Sequence, residues 1–115
     1  MRFVFKQVDD QKWPLHNISK ADWKRLLGKL GHLESMTFTQ ACQSKLASEC
    51  DLSTCSNQQA KTRLMNRYNE DSAVEFRIAR SESLRLWALR YGREFHIIWW
   101  DPNHEVYPDG KKNRR

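Results

Sequence analysis

Long apolar runs are missing from this chain. None approaches the roughly 20 residues that a membrane-spanning helix requires, and the opening MRFVFKQV turns polar too soon for a signal peptide. A soluble, cytoplasmic protein with no membrane partner is therefore expected. Cysteine is sparse as well. Cys42, Cys50 and Cys55 are odd in number and include no C-x-x-C pair, which argues against a disulfide framework and for a reducing compartment. No His/Cys cluster has zinc-ligand spacing, so neither a metal nor another cofactor is expected. Internal repeats and domain linkers are also lacking.

Positive charge, by contrast, is in excess. Twenty Lys and Arg against 14 Asp and Glu give a net charge of +6, which favours a polyanionic partner such as nucleic acid. The terminal DGKKNRR, with Lys111, Lys112, Arg114 and Arg115, supplies three units of that excess, and residues 109–115 are expected to form a disordered basic tail. At 115 residues and 39% hydrophobic content, the chain suits one modest core, and residues 1–108 are read as a single domain.

Met1 to Val8 alternates charged and apolar residues and reads as a strand, broken by Asp9-Asp10 and Trp13-Pro14. Ser19 then caps a helix in which Trp23, Leu26, Leu27, Leu30 and Leu33 recur at helical spacing, with Gly31 a candidate terminator. A shorter helix is expected after Thr39. Ala47 to Ser56 is small and polar and reads as a loop, and Ser56 with Gln59 marks the start of a third helix that Asn69 ends. Three strands follow, Val74–Arg80, Leu84–Tyr91 and Phe95–Trp100, with a hairpin at Gly92 and a further short strand at Glu105–Tyr107. The order predicts an α+β fold: an N-terminal strand, two to three helices, then an antiparallel meander of three to four strands with the helices on one face.

The candidate hairpin loops Tyr91-Gly92 and Gly92-Arg93 give the same sorting of faces. Leu84, Leu86 and Ala88 join Phe95, Ile97 and Trp99 on one side, with Val74, Phe76 and Ile78. The other side carries Glu75, Arg77, Arg85, Trp87, Leu89, Tyr91, Glu94, His96, Ile98 and Trp100. Arg77, Arg85 and His96, bordered by Trp87, Tyr91 and Trp100, would suit phosphate contacts and base stacking. A half-exposed sheet normally carries charged and aromatic residues on its wet face, so the pattern has an ordinary structural reading too.

The combination of LRLWALRYG, a hairpin into EFHIIWW and a closing DPNHEVYP resembles the C-terminal half of the RelE/ParE superfamily of bacterial toxins, over about Val74 to Pro108. It is also similar to a group of short bacterial proteins that share an F-R-x-x-x…R-L-W…F-H-x-x-W-W-D-P-x-H-x-V-Y-P ending. The superfamily resemblance implies helices on one side of a curved antiparallel sheet, RNA as substrate, in some members on the ribosome, and a cognate antitoxin protein as partner. On the ribonuclease branch it implies metal-independent cleavage by attack of a ribose 2′-hydroxyl on the adjacent phosphate. Arg77 and Arg85 then match strand-borne phosphate binders, and His96, His104 and Tyr107 match candidates for proton transfer or base stacking. Arg85, His96, His104 and Tyr107 are thus the candidate catalytic residues, while the sheet face and the basic tail add Arg90, Arg93, Trp87, Tyr91, Lys111 and Lys112 to Arg77 as candidate nucleic-acid contacts. The segment Ala47–Ser56 is long for a minimal toxin, and the gyrase-poisoning branch keeps the fold without cutting RNA. Each candidate also has a plain role: His96 as a hydrogen-bonded sheet residue, His104 as a cap on the Asp101-Pro102 turn, Tyr107 as edge packing. The rival function is a non-catalytic module that binds nucleic acid or protein through the same face.

Overall fold

The structure is a computed structural model that describes residues 1–79 and 83–108. Among the described residues five strands and three α-helices follow in the order β1 (Arg2–Val4), α1 (Lys20–Glu34), α2 (Phe38–Gln43), β2 (Ala47–Asp51), α3 (Gln58–Tyr68), β3 (Ser72–Arg77), β4 (Arg85–Tyr91) and β5 (Glu94–Asp101). The α+β class therefore holds. Residue Arg80, at the end of the expected strand Val74–Arg80, and the basic tail with Lys111 and Lys112 lie outside the described residues.

Local signals set the helix ends. The Ser19 side chain accepts from the Asp22 N–H to cap α1, and Thr37 and Gln40 form a reciprocal capping box at α2, two residues before the expected start. Asn57, not Ser56, caps α3, and Asn69 closes it in the left-handed region at φ 56. α1 runs through Gly28 and Gly31, where a Cβ would meet nothing within 4 Å. Both glycines lie on open helix surface, and the stripe of buried Leu26, Leu30 and Leu33 carries the helix on to Glu34.

The sheet order is β1-β5-β4-β3-β2. β1 lies parallel beside β5, while every other pair is antiparallel, so the sheet is mixed where an antiparallel one was expected. The stretch read as a loop supplies the edge strand β2, with Ala47 and Cys50 buried and its remaining residues exposed. Glu105–Tyr107 is not a strand: after the Pro102-Asn103 turn the chain bends at Val106 and Tyr107.

Helices cover both faces, which corrects the one-sided arrangement. On the first, Leu26, Leu30 and Leu33 of α1 and Ala41 of α2 pack with Val74, Phe76, Leu86, Ala88, Phe95 and Ile97. On the second, Ala60 and Leu64 of α3 pack with Trp13, Trp87, Leu89, Ile98, Trp99 and Val106. The central strands β4 and β5 are apolar on both sides, as strands buried on both faces must be. The face expected to be wet is thus a second core.

Within the hairpin Tyr91 pairs with Glu94, so Gly92-Arg93 is the loop, and Gly92 takes φ 63 there. Further along, Ala88 pairs with Ile97 but Trp87 pairs with Trp99. Ile98 is the extra residue of a β-bulge, and it inverts the alternation beyond it. Trp99 therefore joins the second core and Trp100 the first, the reverse of the assignment by parity.

Candidate functional site

Asp101, at the end of β5, builds the local scaffold. Its carboxylate is fully buried and accepts the backbone N–H of Glu105 at 2.8 Å, that of Val106 at 3.0 Å and the Trp87 indole N–H at 3.3 Å. Burial pushes its pKa up, a rise that the bonds from Glu105, Val106 and Trp87 oppose without cancelling. The turn so formed is anchored twice more, by Asn57 Nδ2 donating to the Glu105 carbonyl at 2.8 Å and Trp13 Nε1 donating to Glu105 Oε1 at 3.1 Å. At its apex His104 adopts φ 55, a left-handed conformation that a non-glycine residue holds only where its surroundings enforce it.

This conformation brings His104 Nε2 to 3.3 Å from Glu75 Oε2, and Arg85 Nε lies 3.6 Å from the same oxygen. Glu75 and Arg85 are 5% and 4% exposed, whereas the His104 side chain keeps 15%. Glu75 faces Trp87 and Arg85 faces Arg77 across the β3–β4 ladder, so carboxylate and guanidinium are diagonal neighbours on one face. A carboxylate shared by a guanidinium and an imidazole orients the ring. Both contacts at Glu75 Oε2 are ion-pair contacts without hydrogen-bond geometry, so the carboxylate orients the ring electrostatically.

The structure thus brings Arg85 and His104 together through Glu75, with Arg77 beside Arg85 in the ladder and half-buried Tyr107 packed against the second core. It does not bring His96 to them. His96 pairs with Leu89 and Arg85 with Asp101, a separation of about 13 Å along β4. His96 accepts from Gln7 Nε2 at 2.9 Å, lies 3.0 Å from Glu94 Oε1 and meets the Tyr91 ring edge-on. Its hydrogen bond holds the Glu94 carboxyl below its usual range. His96 is therefore the satisfied sheet residue, not a member of the cluster. Trp87 is fully buried and offers no ring for stacking. Arg90 lies over the Phe38 and Phe95 rings, among first-face residues, at 4.4 and 5.9 Å, and Arg93 sits in the exposed hairpin loop. Tyr91 is exposed and bonds Glu70 at 3.3 Å.

Two features escaped the sequence reading. Glu75 is the hinge of the cluster, and a charged residue that stays buried mid-strand is its only trace. The second is a polar groove outside α3. Asp9, fully buried, accepts Nε and Nη2 of Arg63, Trp99 Nε1 at 3.0 Å and the backbone N–H groups of Gln11 and Lys12 at 3.0 and 3.2 Å. Over the Arg63 so held lies an open depression of about 680 Å³, rimmed by Lys12, Gln58, Gln59, Thr62, Asn66 and Arg67.

Among the described residues no helix is long and apolar enough to cross a membrane, and no group of three or more His, Cys, Asp or Glu is placed to hold a metal ion. Comparison with protein-family models, with curated proteins and with solved structures gave no match to this chain.

Proposed function

We propose that the protein is a toxin-like endoribonuclease whose working group is His104. The observation that carries this reading is the Glu75–His104 contact: a partly exposed imidazole oriented by a buried carboxylate that Arg85 also engages. The dyad suits general-base catalysis, in which His104 takes the proton of a ribose 2′-hydroxyl as its oxygen attacks the adjacent phosphorus. The bond from phosphorus to the 5′ oxygen then breaks, leaving a cyclic phosphate, and the departing oxygen takes up a proton. Arg77, half-exposed at the end of β3 and paired with Arg85 across the ladder, is the cation assigned to the phosphate, and Tyr107, three residues after His104, the hydroxyl assigned to the leaving oxygen. Arg85, expected from sequence to contact phosphate, is buried and acts through Glu75 instead. The likeness of the H-E-V-Y segment to toxin C-termini supports RNA as substrate and an antitoxin as partner.

Expression of the wild type in bacteria is expected to arrest growth with fragmentation of mRNA. His104→Ala should lose about 10²- to 10⁴-fold in cleavage rate, the range for a general base, and restore growth. Unimpaired growth on wild-type expression, with intact RNA, would sink the reading. Burial of Arg85 and Trp87 favours a second one, a module that binds nucleic acid without cutting it; its signature is RNA binding that survives while no fragment forms.

A further inference from the structure

We propose that the groove outside α3 binds single-stranded RNA. As the seat of the strand flanking a bond cut at His104 it rests on the functional reading above, but as an RNA-binding site it stands without it.

The lining contains amides, a hydroxyl and cations, with no carboxylate and no apolar side chain. A peptide has no pocket there for an apolar anchor. Along α3 the lining falls in two adjacent rows, Gln58-Thr62-Asn66 and Gln59-Arg63-Arg67, each repeating every four residues. A strand laid along the helix therefore meets a polar group about every 6 Å. Lys, Arg, Asn, Gln and Thr are the side chains that hold phosphate and sugar oxygens, and an amide, donor and acceptor together, also reads base edges, which only an unpaired strand leaves open. Among the described residues the side chains of Gln58, Gln59, Thr62 and Asn66 make no hydrogen bond, so their polar atoms are available.

Two further observations make the groove more than a wet helix face. Its floor is fixed, because Asp9 grips Arg63 in a two-pronged ion pair and is itself held by Trp99; the acid nearby, Asp10, is outside the lining. Its end also adjoins the candidate site. Asn57, which caps α3, and Trp13, which follows Lys12, both bond Glu105, the residue next to His104. An RNA strand leaving the groove past the start of α3 meets the turn that carries His104.

The test uses the full chain carrying His104→Ala, so that nothing is cut, and a fluorescently labelled single-stranded RNA of mixed sequence, with anisotropy read across a salt series. Adding Gln59→Ala, Asn66→Ala and Arg67→Ala together should weaken binding at least about tenfold and lower the salt slope by about 0.7 for each phosphate that the variant no longer neutralises. All three positions are exposed on a helix where alanine is the best former, so an unchanged or raised melting temperature verifies folding. Undiminished affinity in the triple variant overturns the proposal, as does equal affinity of the parent for a duplex of the same length. Groove-dependent binding by a protein that never cleaves RNA would remove the ribonuclease reading alone.

Discussion

Asp9 shows how much one side chain can organise. Burial alone would raise its pKa, but the bonds from Arg63, Trp99 and the backbone of Gln11 and Lys12 outweigh burial and hold the carboxyl well below the usual carboxylate range. A depressed pKa in the folded state means stability that is complete above the unfolded value, near 3.9, and lost as pH falls below it. Asp101 works in the opposite sense. Its raised pKa penalises the charged form, so its contribution improves as pH falls. Asp9→Asn is expected to cost about 1–3 kcal/mol at pH 7, since it leaves a partly exposed Arg63 without its counter-charge, and to flatten the acid limb. Urea unfolding should show a constant gap between wild type and variant above about pH 4, and a gap that closes as pH falls from there toward pH 2; a gap that stays constant through that acid range would contradict this role for Asp9.

At the scale of elements, caps and turns decide where the chain changes direction. Asn69 takes φ 56 so that its N–H closes α3 onto the carbonyls of Leu64 and Met65. Asn69→Ala should destabilise by about 1–2 kcal/mol, the penalty of a left-handed residue with a Cβ, whereas Asn69→Gly should be neutral or better; equal melting temperatures for the two variants would refute this. Such local devices were legible in the sequence, as were the cap at Ser19, the stripe of α1 and the glycine turn, because each depends on a few neighbouring residues. β2 was not, since an edge strand with only Ala47 and Cys50 turned inward has the composition of a loop. Nor was the bulge, because one extra residue within FHIIWW leaves the run uniformly apolar. At the site, Arg85 and His104 stood out through the closing motif. Glu75 could not be told from a solvated strand acid, since its meaning comes only from β4 and the Asp101 turn beside it. The groove likewise looked like the outer side of any helix until Asp9 placed Arg63 beneath it.

On the scale of the whole molecule, the sheet is one wall shared by two cores, and the bulge at Ile98 sends Trp99 into one and Trp100 into the other. Alternation alone implies a single core with the far face as surface, which would leave α3 an appendage. The packing implies something different: Leu64 and Leu26 are both fully buried, on opposite sides of the same strands. Truncation of either to alanine is expected to cost about 2–5 kcal/mol. With no shared neighbours their effects should add, and because β4 and β5 line both cores, neither half can unfold while the other persists. Thermal unfolding followed by far-UV circular dichroism and tryptophan fluorescence should give one coincident transition in wild type and both variants, shifted downward by similar amounts. If α3 were an independent flap, Leu64→Ala would leave the main transition in place and add an earlier one as Trp87 and Trp99 became wet. A single transition would tie the groove, the Asp101 turn and His104 to the same cooperative unit, so that neither the candidate catalytic site nor the RNA groove could be lost without the fold.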